Sequence, residues 1–557
     1  MKLTGAQIVF ECLNKLGVDS IFGYPGGAVI PLYDALYDTV HPIKHYRTCH
    51  EQGATHAADG YARSTGKTGV CIVTSGPGAT NTITGIATAF LDSVPLVVIT
   101  GQVGQSLIGR DSFQEVDITT MTLTITKHCE MVKRVEDIEK TILRAFEIAK
   151  SGRPGPVLVD LPKDLMLETT EYQDLSLPKR ESTAINSDEV KKAVRAFKEA
   201  KRPVILAGGG VGIAGAEDLL KELALDYNIP VINTLLGSGA FPQSHPLSLG
   251  LIGMHGSQVA NQSMAQADLV LALGARFSDR VIGLPDGFCP KAKLVQFDID
   301  VNELGKNMET HFPVCGDLKE ALRAFKDYLG PGPGYLKPVR QSKDQTNYDE
   351  KGPLKPQVLL EKIHKAFGNQ AIVATEVGQN QMWTAQYFGF ERTRQFLTSG
   401  GLGTMGYGLG AAIGAQVGNP QRQLIHIAGD GSFKMNCNEL GTVSKYKLPL
   451  KTFILNNNAL GMVRQWQQLF CNNRFSETMG DDSVDFVKLG QAYGIKSYRV
   501  STLAELDAVL EEIKDLAEPI LVDCILLPEE NVYPIVPPGR PITQMITQNP
   551  VDVVVTP

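Results

Sequence analysis

The sequence predicts an α/β protein of three domains, each a parallel sheet with helices on both faces. Three observations carry this. Short Val/Ile/Leu-rich runs recur along the chain: GVCIVTSG (69–76), PLVVITG (95–101), PVLVDLP (156–162), PVILAGGG (203–210), DLVLALGA (268–275), KLVQFDID (293–300), AIVATEVG (371–378), QLIHIAGD (423–430), KTFILNNN (451–458) and PILVDCIL (519–526). Patterns of helical period separate them, and near-continuous apolar strands between helices belong to parallel sheets covered on both faces. Two stretches, 166–188 and 329–356, are polar and rich in Pro, Gly or charge. They are long for loops inside a compact domain and read as linkers.

The predicted domains are therefore 1–165, 189–328 and 357–528, with a proline-bearing tail over 529–557 that is expected to wrap over another surface. A chain of 557 residues exceeds what one core organises. No internal sequence repeat stands out, yet the first and third units are candidates for a shared fold.

Composition excludes several classes. Lys and Arg number 53 against 60 Asp and Glu, a formal charge of −7, and no long basic run offsets it. Nucleic acid and acidic membrane are not expected partners. The nine cysteines form no C-x-x-C pair, which fits reduced thiols better than a disulfide framework or a zinc site. The opening MKLTGAQIVFECLNKLGV reads as an amphipathic helix without an h-region or a transit-like stretch, so a cytoplasmic location is expected. No apolar run reaches the ~18 residues that a membrane span needs.

The chemistry-bearing signal lies in IAGDGSFKMNCNELGTVSKYKLPLKTFILNN (427–457). One strand ends in Gly-Asp-Gly, a helix crosses over, and the next strand ends in Asn-Asn. Asp430 and Asn457 then stand at the carboxyl ends of two parallel strands, where ligands gather in open α/β sheets. A carboxylate and an amide oxygen make a hard-oxygen pair suited to Mg²⁺, an ion that shares its shell with phosphate oxygens. The Ala459 carbonyl could close the shell. Gly429 and Gly431 let backbone approach a phosphate, and Ser432 can donate to it. A lone GDG is commonly a turn. GDG, a helix and then NN after an apolar strand is more specific, and here the chain resembles the thiamine-diphosphate-dependent enzymes.

That resemblance implies an early Glu, and TCHEQGATHAADGYAR supplies Glu51 on a helix with Ala54, Ala58 and Ala62 on one face. A carboxyl on a small-residue face is a candidate for burial in its neutral form. In the family this Glu activates the aminopyrimidine ring. The bland reading is a helix-start acid favoured by the macrodipole.

Within the superfamily the whole chain resembles the large catalytic subunits of acetohydroxyacid synthase (acetolactate synthase). GYPGGAV (23–29), SGPGATN (75–81), RDSFQE (110–115), GRPGPV (152–157), GLGTMGYGL (401–409), NNNALGMVRQWQQLF (456–470) and ENVYPIVPPG (530–539) carry the likeness. It implies catalytic roles for Glu51, Gly27, Phe113, Gln114 and Lys127. It implies coenzyme contacts at Pro25, Thr74, Gly78, Asn81, Val377, Gly378, Gln379, Asn380, Gly403, Met405, Gly429, Asp430, Gly431, Ser432, Met435, Asn457, Ala459, Leu460, Gly461 and Met462. Met435 would wedge the bent coenzyme, although a Met more often packs a core. Arg276, Met462 and Trp466 would meet the second substrate, and the Trp would favour 2-ketobutyrate. Asn380 stands where many relatives have His; both side chains can donate a hydrogen bond.

The middle unit carries G-x-G-x-x-G at Gly210, Gly212 and Gly215, a weak dinucleotide signal alone. GARFSDRVIG (274–283) resembles the family's flavin signature, which fermentative members lack. It implies a structural, non-redox FAD near Arg153, Gly208, Gly209, Gly210, Thr234, Leu235, Met254, His255, Gly274, Arg276, Asp279, Arg280, Asp298, Ile299 and Asp317. The implied reaction decarboxylates pyruvate on thiamine diphosphate and ligates the two-carbon fragment to a second 2-oxo acid, pyruvate or 2-ketobutyrate. The products, 2-acetolactate and 2-aceto-2-hydroxybutyrate, feed branched-chain amino-acid synthesis. A homodimer or homotetramer with shared sites, and a small regulatory subunit, are expected from the same resemblance. The alternatives are an FAD-dependent pyruvate oxidase on the same scaffold, an NAD(P)-dependent dehydrogenase and a non-catalytic scaffold.

Overall fold

A computed structural model describes residues 1–38, 42–177, 184–333, 352–480 and 484–548. Parts of both expected linkers (178–183, 334–351) and of the tail (549–557) lie outside the described residues. Among the described residues twenty strands form. The first unit holds β1 (Lys2–Thr4), β2 (Ser20–Tyr24), β3 (Lys44–Arg47), β4 (Gly69–Val73), β5 (Leu96–Gln102), β6 (His128–Met131), β7 (Pro156–Pro162) and β8 (Thr169–Glu171). The middle unit holds β9 (Pro203–Ala207), β10 (Val231–Asn233), β11 (Ser248–Leu251), β12 (Leu269–Leu273), β13 (Lys293–Asp298) and β14 (Phe312–Cys315). The third holds β15 (Ile372–Thr375), β16 (Phe396–Leu397), β17 (Leu424–Gly429), β18 (Lys451–Asn456), β19 (Lys496–Val500) and β20 (Ile520–Ile525).

These make three six-stranded sheets, ordered β3-β2-β4-β5-β7-β6, β11-β10-β9-β12-β13-β14 and β16-β15-β17-β18-β20-β19. Every pairing within them is parallel. The first and third sheets share one order, with the first strand lying between the second and third. The middle sheet has the doubly wound order of dinucleotide-binding folds. The middle order reverses once, between β9 and β12; the first and third reverse between β2 and β4 and between β15 and β17, and again near the far edge, between β5 and β7 and between β18 and β20. Crevices open at the carboxyl ends of strands at such reversals.

The stretch expected as the first linker does not begin as one. The helix Lys163–Leu167 leads into β8, which pairs antiparallel with β1. TTE is too short and polar for its strand character to be read from pattern. The tail does wrap: Val532, Ile535 and Ile542 are fully buried, the Val536 N–H donates to the Met254 carbonyl, and the Leu284 N–H donates to the Arg540 carbonyl.

The first and third units share one hydrophobic core. At its centre the helix Glu51–Thr65 lies along the helix Gly408–Gly418. The backbones nearly touch. A Cβ on Gly60 would sit 2.1 Å from the Ala411 carbonyl oxygen, and one on Gly414 only 1.7 Å from that of Ala57. The pair also buries charge. The Arg63 guanidinium donates to Asp59 at 2.6 Å, to Asp92 at 3.0 Å and to the Thr398 carbonyl at 3.0 Å, while the Tyr407 hydroxyl donates to Asp59 at 2.7 Å. Asp92 further accepts from the N–H groups of Gly400 and Gly401.

Two outcomes follow from this contact. Gly414→Val should destabilise the chain by roughly 1–3 kcal/mol through overpacking, read as a lower urea midpoint. An unchanged midpoint would show that the helices do not approach this closely. The second outcome concerns His56, fully buried on the same helix face. Burial pushes its imidazole from the usual 6.5 down to about 4; Asp59 and Glu376 oppose the shift and Arg63 adds to it. The unfolded chain therefore takes up the proton first, so stability present above pH 6.5 is lost as pH falls toward 4. The loss is on the order of 3 kcal/mol, and His56→Leu should flatten that part of the stability–pH curve.

Candidate active site

Each sheet's reversal point presents a cluster of the sequence-predicted residues. In the first unit, β2 runs out into Pro25, Gly26 and Gly27, and β4 into Thr74. The Thr74 hydroxyl accepts from the Ala28 N–H at 3.2 Å. Asn81 Nδ2 donates to Glu51 Oε2 at 2.9 Å, and a Cβ on Gly78 would lie 3.5 Å from Glu51 Oε1. Glu51 is half-buried in the first helical turn, not sealed in the alanine face. Those alanines pack inward, Ala58 toward Gly69 of β4. Gln114 has φ 61° and packs its backbone on Gly76, itself at φ 58°. The Glu115 carboxylate gathers the N–H groups of Gly109, Arg110 and Ser112, and so holds the loop that presents Phe113, which is 88% exposed. Backbone at Gly27 borders open space.

Lys127 stands apart from this cluster. Its ammonium donates to the Ile148 and Ser151 carbonyls, capping the end of the helix Ile138–Lys150, with Arg153 and Asp300 as charged neighbours. Burial draws its pKa down to about 8. A C-terminal cap by a lysine satisfies carbonyls that the helix leaves orphaned, and Lys127 makes such a cap here.

In the third unit β17 and β18 are neighbours, Gly429 pairing with Leu455. Just beyond these strands stand Asp430 and Asn457, 5% and 4% exposed. Burial pushes the Asp430 carboxyl up to about 6, against the backbone N–H groups of Asp430, Asn457 and Gly431. Asn457 Nδ2 donates to Gln379 Oε1 at 2.9 Å. Gln379 Nε2 in turn donates to Gln465 Oε1 at 3.1 Å and to the Glu530 carbonyl at 3.0 Å. The amide of Gln379 is thus spent on neighbours rather than offered to a ligand. This chain of donors leaves Asn457 Oδ1 as the free acceptor. A carboxylate, that amide oxygen and the nearby backbone of Ala459 make an all-oxygen donor set, chemically fitting for Mg²⁺.

Asn380 Nδ2 is also spent inside, on the Glu376 and Ile427 carbonyls at 2.9 and 3.1 Å. Val377 and Gly378 lie where β15 ends, Met405 is half-buried, and Gly403 (φ +71°) borders open space. Met435 is 60% exposed, free to project rather than packed in a core. Leu460 covers Gly431, and a Cβ on Gly461 would strike Gln379 and Asn457.

Sequence reading missed the buried carboxylate behind these loops. Glu376, at the tip of β15 and fully buried, accepts from Ser432 Oγ at 2.6 Å, from the Gly406 N–H at 2.9 Å and from the Leu409 N–H at 3.1 Å. Burial disfavours its charge, but His426 and those donors outweigh it and hold its pKa low. It ties the 401–409 loop to the GDG turn. The signal was present: like Asp430, it is an acid closing an apolar run.

In the middle unit Gly208 and Gly210 pack directly on Gly274 across the reversal between β9 and β12. Gly212 meets Thr393 of the third unit, and Gly215 ends a helical turn at φ +62°. The G-x-G-x-x-G glycines are thus accounted for by packing and turn geometry. Arg153 donates to Ser93 at 2.8 Å and to Glu303 at 2.9 Å. Arg276 lies close to Arg153, Asp92, Glu303 and Asp298, and burial followed by Arg153 draws its pKa down. Asp298 is buried with its carboxyl pushed up, Ile299 follows it, and Thr234 caps the turn containing Leu235. Asp317 caps the helix Leu318–Leu329 and leaves no free carboxylate role evident. Exposed Asp279 flanks Arg280 at 3.7 Å. Arg280 itself, not Arg276, reaches Trp466: its guanidinium lies 5.8 Å from the ring centroid and 3.6 Å from Met254 Sδ. Met462 and Trp466 share the helix Gly461–Phe470 and are half-buried. Burial pushes the His255 ring down to about 4. A half-buried arginine pair beside glycine turns suits a phosphate-bearing ligand.

Among the described residues no helix is long and apolar enough to cross a membrane.

Known proteins sharpen this picture. Residues 3–121 match the thiamine pyrophosphate enzyme N-terminal TPP binding domain, 190–325 the central domain, and 376–524 the C-terminal TPP binding domain. A probable acetolactate synthase large subunit of Methanocaldococcus jannaschii is 44% identical, over 98% of this chain and 95% of that protein. The acetolactate synthase isozyme 2 large subunit of Escherichia coli (strain K12) is 44% identical, over 98% and 99%. The acetolactate synthase large subunit of Lactococcus lactis is 42% identical, over 98% and 96%. With its three parallel sheets and the acid–amide pair at the third sheet's strand tips, the chain belongs to the acetolactate synthase large-subunit family of thiamine pyrophosphate enzymes.

Proposed function

We propose that this chain is a thiamine-diphosphate-dependent acetolactate synthase, a transferase that joins a two-carbon fragment of pyruvate to a second 2-oxo acid. The observation that carries the reading is the pairing of Asp430 and Asn457 at adjacent strand tips, with the asparagine's donor end already spent on Gln379. Asp430, Asn457 Oδ1 and the Ala459 carbonyl would hold Mg²⁺, and the backbone of Gly429, Gly431 and Ser432 would face the diphosphate. When bound, thiamine diphosphate supplies a nucleophilic carbon and an electron sink for decarboxylation.

The chain's own residues place and protect the reactants. Glu51, steadied by Asn81, holds the proton exchanged with a ring nitrogen of the coenzyme. Met435 stands clear of the core, free to wedge between the coenzyme's two rings. Phe113 and Gln114, with the open backbone at Gly27, line the approach for the first ketone. Trp466 with Arg280 over it would select the second 2-oxo acid by apolar contact, and Arg276 would pair with its carboxylate. Excluding water from this space prevents loss of the two-carbon fragment.

FAD, in a structural role, would lie over the reversal point of the middle sheet against Gly208, Gly209, Gly210, Gly274, Arg276 and Arg153. The alternative reading, a pyruvate oxidase that uses FAD as electron acceptor, is not favoured by relatives whose names are all acetolactate synthase. The family resemblance supports a homo-oligomer in which a second copy completes each site. The relatives' designation as large subunits supports a small regulatory subunit. A cytoplasmic location and the division at 166–188 and 329–356 complete the reading.

Product analysis tests it. Purified protein supplied with thiamine diphosphate, Mg²⁺, FAD and pyruvate should form acetolactate without consuming O₂, and a mixed product when 2-ketobutyrate is added. Acetyl phosphate or peroxide as product would overturn the assignment. Glu51→Gln should still bind thiamine diphosphate yet lose roughly 10²-fold or more in turnover, the usual worth of a placed acid–base group. Near-normal turnover in that variant would rule out proton exchange by Glu51.

A further inference from the structure

The diphosphate-binding unit reaches across to the helix that carries Glu51. Its agent is Glu439, nine residues after Asp430 in the sequence and fully buried. Its carboxylate accepts from the Cys49 N–H at 3.1 Å, from the His50 N–H at 2.9 Å and from Thr442 Oγ at 2.6 Å. Cys49 and His50 immediately precede Glu51, and His50 caps the helix by accepting from the Gln52 N–H. Gly53 lies against the same carboxylate, so that a Cβ there would stand 2.2 Å from Oε1. Glu51 is thereby fixed from two sides. Its carboxylate is held by Asn81 from its own unit, and the backbone just before it, at Cys49 and His50, is held by Glu439 from the third unit.

The segment that bears Glu439 is itself anchored to the coenzyme loops. Asn436 Nδ2 donates to the Gly406 carbonyl at 2.7 Å, and Gly406 is one of the groups bound by Glu376. A displacement of the GDG turn is therefore passed to the start of the Glu51 helix through Glu439. Replacing the carboxylate would leave two part-buried N–H groups without this acceptor. It would also remove an anion from a helix N-terminus, where one is favoured. Burial raises the Glu439 pKa, with the Glu51 charge a further, smaller cause.

We infer that Glu439 is a positioning residue for the Glu51 carboxyl, setting its placement toward the coenzyme without itself touching substrate. The inference rests on the acid–base role proposed for Glu51. It is tested on the full chain with thiamine diphosphate and Mg²⁺. Coenzyme affinity is read from tryptophan fluorescence, turnover and KM from acetolactate formation, and order at the helix start from hydrogen exchange at the Cys49 and His50 amides. Glu439→Gln keeps the shape but places an amide donor against backbone donors. It should lower kcat by roughly 10²-fold while KM and coenzyme affinity stay within about threefold, with faster exchange at the two amides and partial rescue by Glu439→Asp. If Glu439→Gln does not fold, Gly53→Ala displaces the same carboxylate from the other side and should give the same split. An unchanged kcat in a folded variant overturns the inference, as does a parallel loss of kcat, coenzyme affinity and stability. A wild-type chain that forms no acetolactate overturns the functional reading together with this one, whereas an active wild type with an unaffected variant overturns this one alone.

Discussion

The helix Glu51–Thr65 rests on the helix Gly408–Gly418, and the rest of the molecule is arranged around that contact. Glycine at positions 60 and 414 lets two backbones approach as no larger residue allows. Such closeness leaves no room for water, so every polar group at the seam must find a partner inside. Arg63 meets this demand with Asp59, Asp92 and the Thr398 carbonyl, and Tyr407 closes the set from the opposite helix. A buried ion network of this kind adds little net stability, because desolvation offsets the attraction, but losing one member leaves a charge stranded. It therefore fixes one mutual placement of two units. Arg394 extends the seam to the middle unit, donating to the carbonyls of Arg63 and Gly212.

The same architectural rule then places all three ligand clusters. In each sheet the strand order reverses beside its first strand, and the candidate residues follow the two strands that flank that reversal or the strand beside them. Pro25–Gly27 and Thr74 follow β2 and β4; Gly208–Gly210 and Gly274 follow β9 and β12; Val377–Asn380 and Asp430 follow β15 and β17. The first and third sheets share a topology but not a chemistry. On the proposed reading one offers a carboxyl to a ring nitrogen, and the other offers oxygens to a cation. Scaffolds of one topology would then hold opposite ends of one coenzyme because the loops, not the strands, carry the function.

Sequence legibility tracked burial. All ten Val/Ile/Leu-rich runs are strands, since a strand covered on both faces must be apolar throughout. The strands that escaped notice include every edge: β3, β6, β11, β14, β16 and β19. KHYR at β3 and KSYRV at β19 face solvent on one side, so alternation is broken by charge. The site was legible where a motif demanded a residue type, as at Asp430 and Asn457. It was illegible where a role depended on reach across units. Nothing local to Glu439 announces that it grips His50, and nothing local to Lys127 announces that it caps a helix end. Arg276 and Arg280 differ by four positions in the same motif, and only packing decides which of them lies over Trp466.

The choice of an amide at 457 has a physical logic. Asp430 is already pushed up to about 6 by burial. A second carboxylate beside it would repel the first and raise proton affinity further, so protons would compete with the cation. Asparagine contributes a hard oxygen without charge. A cation held as proposed would keep most of its positive charge for the anionic ligand that it shares. An amide has a cost of its own, since its two ends look alike and only one can face the metal. Gln379 resolves this by taking the donor end. Gln379 is itself oriented by Gln465 and the Glu530 carbonyl, and Gln465 is bound on both sides by the backbone of Val532. The C-terminal segment thus reaches the Asn457 side chain through two glutamines, and on the proposed reading it helps to orient the oxygen that would face the metal.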